Sequence, residues 1–145
     1  MGLIVVGVDG SDASLEALRY ALRQAKLQGD RVRAVTAWHV PTIAYGGPGV
    51  GPLVDLHSVF GEDAKAILDK ALEAVANEAG DLEIERVVRE GRSASVLVEE
   101  AEKADLLVVG SRGLGGFSEL LLGSVSHECA QHASCPVVIV HRKSR

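Results

Sequence analysis

The sequence predicts an α/β fold, one open parallel sheet with helices on both faces. Three observations predict it. Short apolar runs at residues 3–8, 32–40, 106–109 and 136–140 read as strands, two of them, 3–8 and 106–109, apolar enough for burial on both sheet faces. Segments with apolar residues at 3.6-residue spacing separate those runs. Strand and helix alternate through five strands, a pattern that packs as a parallel sheet with right-handed crossovers.

Composition sets outer limits. The chain has 145 residues, 47% apolar and 24% charged, which fits a single domain spanning 1–145 with a real core. Its longest apolar runs hold about half a dozen residues, far short of the ~20 needed to span a bilayer, so no membrane segment is expected. A net charge of −5 argues against nucleic acid as a partner. No basic region precedes an apolar stretch at the N-terminus, so a cytoplasmic location is expected. Cys129 and Cys135 lack C-x-x-C spacing and read as small packed residues.

Residues 3–8 form the first strand, and Gly7-Val8-Asp9-Gly10-Ser11 is the turn out of it. A helix over 11–28 puts Leu15, Leu18, Leu22 and Ala25 on one face, and Gly29 ends it. The second strand, 32–40, stops at Pro41. From 41 to 61 glycines and prolines dominate, so this stretch reads as a long loop, either a binding loop or an insertion without a role. A helix is expected over 63–79 with Ala64, Ile67, Leu68, Ala71 and Val75 inward, and Gly80 stops it. Charges mixed into the strand at 82–88 place it at a sheet edge. Gly91-Arg92-Ser93 leads into a helix with Ala94, Leu97, Val98 and Ala101 inward. The fourth strand, 106–109, a glycine-rich turn, a helix over 125–133 and the strand at 136–140 complete the chain.

That glycine-rich turn carries the chemistry. Gly110-Ser111-Arg112-Gly113-Leu114-Gly115-Gly116-Phe117, closed by Gly123-Ser124, leaves a strand and opens a helix. Glycines let backbone N–H groups approach an anion closely, and the helix N-terminus adds partial positive charge. Phosphate is the usual anion of such a site. The spacing is neither that of a Walker A loop nor, at Gly7-Val8-Asp9, that of a dinucleotide fingerprint. Ser124 can cap the last helix, with Val125 and Ser126 in its opening turn. Composition alone also allows a flexible loop whose glycines serve tight turns.

Asp9 leaves the first strand at the same rim. It suits a ribose hydroxyl, an adenine amine or a water-linked divalent ion, and equally suits an N-cap shared with Ser11. Arg112 can balance phosphate charge or simply be solvated. His39 and Val40 end the second strand, where a base can bond the backbone. His127 and His132, five apart, do not share a helix face, and no G-x-S-x-G elbow is present, so neither a helical metal pair nor a nucleophile elbow is expected.

Gly110-x2-Gly113-x9-Gly123-Ser124, with Asp9 after the first strand and Cys135-Pro136-Val137 opening the last, closely resembles the nucleotide-binding branch of the universal stress protein family. The similarity runs essentially end to end. It implies a five-stranded, Rossmann-like sheet of order 3-2-1-4-5. It implies binding of ATP, with AMP or cyclic AMP as alternatives, and Mg²⁺ or Mn²⁺ on the phosphates. By position, Gly110, Gly113, Gly123 and Ser124 would hold ribose and phosphates, with Ser111, Arg112, Leu114, Gly115 and Gly116 lining the loop and Val125 and Ser126 following. Asp9 and the backbone around Gly7 and Val40 would flank the adenosine.

The resemblance also implies a homodimer through the last strand. Val137, Val138, Ile139 and Val140 carry no charge and would make a hazardous open edge, which leads independently to the same pairing. The function expected is a binding and signalling module of the stress response. The competing readings are a slow ATPase or phosphotransferase with Asp9 as base, and an interaction protein whose nucleotide merely stabilises the dimer.

Overall fold

The computed structural model describes residues 1–41, 55–113 and 122–142. Five strands, β1 (Leu3–Gly7), β2 (Arg31–Trp38), β3 (Ile84–Glu90), β4 (Leu106–Gly110) and β5 (Val137–Val140), form one sheet. Every pairing is parallel and the order is β3-β2-β1-β4-β5, as the resemblance implies. Ile4 pairs with Val32 on one side and Leu106 on the other, so β1 is the central strand.

Strand alternation divides the core in two. Ile4, Val6, Val32 and Val108 face α1 (Asp12–Gln28), α2 (Leu56–Ala74) and the short α3 (Ala76–Ala79). Leu3, Val5, Val35 and Leu107 face α4 (Ser93–Glu100) and α5 (Ser124–His132). Leu18 and Leu22 of α1 are fully buried, each stabilising the fold by about 1.5–3 kcal/mol relative to exposure. Ser11 caps α1 by accepting from the Ser14 N–H, and Gly29 closes it at a left-handed φ of 72°.

The structure corrects the sequence reading of α2 and α4 at three points, and it places β2 at Arg31–Trp38 and β3 at Ile84–Glu90, each shifted by one or two residues from the expected 32–40 and 82–88. The stretch expected as loop to residue 61 ends earlier, because α2 begins at Leu56 under the cap Asp55, whose carboxylate accepts from the Ser58 N–H. That backbone bond also holds the Asp55 carboxyl below its usual pKa. Gly61 is therefore helical, and it lets α2 lie on an indole: a Cβ there would sit 3.3 Å from Trp38 Cζ2. The helix expected over 63–79 breaks at Val75, whose ψ of 13° separates α2 from α3. On α4, Val96 is buried and Val98 only half-buried, so the inward stripe is rotated by part of a turn.

The two sheet edges differ. β3 lies at an edge, as its charges indicate, and those charges are paired: Arg86 with Asp69 at 2.7 Å, and Arg89 with Glu99 at 2.6 Å and Glu100 at 2.9 Å. The pairing with both glutamates raises the Arg89 pKa. β5, at the other edge, is half-buried along its whole length and has no charged residue.

Candidate functional site

Among the described residues a cavity of about 410 Å³ opens at the C-terminal ends of β2, β1 and β4, within the ~300–1,000 Å³ common for small-molecule sites. It lies where the crossovers from β1 and β4 diverge to opposite faces, the place where open parallel sheets bind ligands.

On the β4 side the wall is the glycine turn. Gly110 ends β4 against the start of α1, where a Cβ would fall 2.8 Å from the Ala13 carbonyl carbon and 2.9 Å from the Ser14 nitrogen. Both atoms are backbone, so no larger residue fits without moving α1. Beyond it, the Ser111 N–H donates to the Val140 carbonyl at 2.9 Å. The Ser111 carbonyl accepts from the Gly123 N–H at 2.6 Å and from the Ser126 hydroxyl at 2.9 Å. These bonds bring the two ends of the turn together, so Gly113 and Gly123 line the same cavity.

The start of α5 completes this wall. Its N-cap is Gly123, not Ser124 as the sequence led us to expect, and among the described residues no side chain caps it. The first intrahelical bond runs from the His127 N–H to the Gly123 carbonyl at 3.0 Å. The N–H groups of Ser124, Val125 and Ser126 thus have no helical partner, and all three residues line the cavity. Uncapped amides at the positive end of a helix dipole are donors for an anion.

Asp9 stands opposite. Its Oδ1 accepts from the Ser11 N–H at 2.9 Å and the Ser11 hydroxyl at 2.5 Å. Its own N–H donates to Ser14 Oγ at 3.3 Å. Ser11 is the cap of α1, and Asp9 braces it from outside. The other oxygen, Oδ2, packs on the glycine turn, 2.7 Å from where a Gly113 Cβ would stand.

Of the residues singled out from sequence, Gly7, Asp9, Gly110, Arg112, Gly113, Gly123, Ser124, Val125 and Ser126 line this cavity. Ser111 is buried behind the wall, 2% exposed, and acts through its backbone. Val40 is half-buried beyond the end of β2 and is not among the lining residues. Leu114, Gly115 and Gly116 lie outside the described residues, as do the glycines and prolines of 42–54. Sequence reasoning missed Ser14, Ser93 and Leu97, and the inner strand positions Val35, Ala37 and Val109. Ser93 was findable: it follows β3, the neighbour of β2, and so emerges at the same rim.

A doubly wound sheet with its ligand crevice at the switch point defines the class of protein. The chain belongs to the universal stress protein family, whose family model matches residues 1–141. It is 35% identical to the universal stress protein MJ0531 of Methanocaldococcus jannaschii, over 98% of this chain and 83% of that one. It is 37% identical to a universal stress protein of Mycolicibacterium smegmatis over 94% of this chain, but spans only 45% of that relative's length. Among solved structures, a universal stress protein in complex with cAMP superposes with a TM-score of 0.71 at 35% identity, covering 98% of both chains. The Archaeoglobus fulgidus universal stress protein in complex with dAMP gives 0.65 at 26% identity, covering 97% of this chain and 98% of that one.

Proposed function

We propose that this protein binds an adenine nucleotide, ATP foremost, in the cavity at the C-terminal rim, and works as a homodimeric binding and signalling module of the stress response in the cytoplasm. One observation carries the reading: the uncapped first turn of α5 and the glycine turn face the same cavity. Related proteins holding cAMP and dAMP support adenine as the base. Phosphates would take the N–H groups at Gly113 and at 124–126, and ribose hydroxyls would meet Asp9 Oδ2. Asp9 is the only carboxylate among the described lining residues and its oxygens serve Ser11 and the ribose, so a Mg²⁺ or Mn²⁺ ion would draw its ligands from phosphates and water.

Calorimetric titration of ATP into the protein tests this. Saturable binding at one nucleotide per chain is expected; no heat at millimolar ATP, with or without Mg²⁺, would dismiss it. For the dimer, β5 is the uncharged edge, and Ile139→Asp should yield a monomer by sedimentation. A dimer that persists in this variant places the contact elsewhere.

A further inference from the structure

Six polar side chains line the cavity among the described residues, and most are already engaged. The Ser14 hydroxyl donates to the Ser11 carbonyl and accepts from the Asp9 N–H. The Ser126 hydroxyl donates to the Ser111 carbonyl. One oxygen of Asp9 holds Ser11, and Arg112 has an interaction of its own. The hydroxyls of Ser93 and Ser124 have no hydrogen-bond partner among the described residues. Ser124 belongs to the anion-binding wall. Ser93 does not: it opens α4, which packs on β2 and β1, and it shares its part of the cavity with Val35, Ala37 and Leu97.

We propose that Ser93 is a ligand-contacting residue that bonds the base of the bound nucleotide. This rests on the nucleotide reading above. The cavity has two chemically unlike ends. Backbone donors gather at the β4 end, where phosphates belong. Among the described residues, the β2 end is apolar apart from the Ser93 hydroxyl. An aromatic base buries its faces against apolar side chains and needs a polar partner at its edge. A hydroxyl both donates and accepts, so it can bond either a ring nitrogen or an exocyclic amine.

The residue before Ser93 ties α4 to α5. Arg92, the N-cap of α4, sends Nη2 to both carboxylate oxygens of Glu128 on α5, each at 3.0 Å. Glu128 lies one turn along from Ser124. The pair, on the surface, links the helix that carries Ser93 to the helix that faces the proposed phosphate end of the cavity.

The test is ATP affinity by calorimetry for wild type, Ser93→Ala and Ser93→Leu, with NMR of the bound ligand. Ser93→Ala should weaken ATP by about 2- to 10-fold, the range of one net hydrogen bond. Ser93→Leu should weaken it further by filling the base end. The adenine H2 and H8 resonances of bound ATP should move in Ser93→Ala while its ³¹P resonances stay. Unchanged affinity in both variants, or changes confined to the ³¹P resonances, would overturn the assignment. Wild-type protein that fails to bind ATP would instead overturn the nucleotide reading itself. Arg92→Glu should reproduce the loss, and adding Glu128→Arg should restore it; a merely structural pair would lower melting temperature without this recovery of affinity.

Discussion

The two ends of the sheet treat backbone N–H groups in opposite ways. At the N-terminal rim the protein satisfies them itself. Asp30 Oδ1 accepts from the Gly2 N–H and Asp105 Oδ2 from the Leu3 N–H, each at 2.8 Å. A Cβ at Gly2 would lie 2.7 Å from Asp105 Oδ2, so that corner is filled. At the C-terminal rim, the first turn of α5 has no side-chain cap among the described residues and faces a cavity. Carboxylates close one end of the fold, and among the described residues no side chain closes the other. The difference teaches where stability and binding should separate under mutation.

The largest effect is expected at the open rim. Gly113→Asp adds a carboxylate where phosphate would sit, with its Cβ 2.7 Å from Asp9 Oδ2. ATP affinity should fall more than ~100-fold, since two anions held within a few ångströms repel by several kcal/mol. The variant should still melt cooperatively. Calorimetry and a thermal scan check both halves.

Next comes the closed rim. Asp30→Ala with Asp105→Ala should lower stability by about 2–4 kcal/mol, because two backbone donors lose charged acceptors. ATP affinity should stay within about twofold. A large loss of affinity would erase the contrast between the rims.

Gly110→Ala tests where the contrast stops. The added Cβ meets only α1 backbone and Ala13 Cβ within 3 Å, so β4 and α1 must separate. We expect a loss of about 1–3 kcal/mol together with weaker ATP binding. Stability lost without affinity would mean the cavity does not depend on the β4–α1 approach.

The smallest effect concerns α5 away from its first turn. Cys129 is fully buried, and burial, with Glu128 nearby, pushes its thiol up to about 11. Between an ordinary thiol pKa near 9 and that value, the unfolded chain has lost a proton that the folded one keeps. Stability should therefore fall as pH rises through this window, at no more than ~1.4 kcal/mol per pH unit. Denaturant melts of wild type and Cys129→Ala from pH 8 to 11 should diverge in slope.

The sequence displayed the strands and the glycine turn because each depends on local pattern: unbroken apolar runs for β1 and β4, and fixed glycine spacing before α5. It misled where a residue's use depends on a distant neighbour. Gly61 looks like a loop residue until Trp38 is placed beneath it. Gly123 displaced Ser124 as the cap because its N–H is drawn to the Ser111 carbonyl, a contact across the turn. Ser93 could be placed at the rim from strand order, but that its hydroxyl lines the cavity depends on α4 packing over β2 and β1. Gly110 was legible as a binding glycine, yet the approach of α1 alone explains its lack of a side chain.

An amide-resolved NMR titration with ATP tests the central claim most directly. The N–H resonances of Gly113, Ser124, Val125 and Ser126 should shift together and saturate at one nucleotide per chain. Those of Gly2 and Leu3 should stay in place. Shifts centred away from residues 110–126, or none at saturating ATP, would contradict a phosphate seat at this end of the sheet.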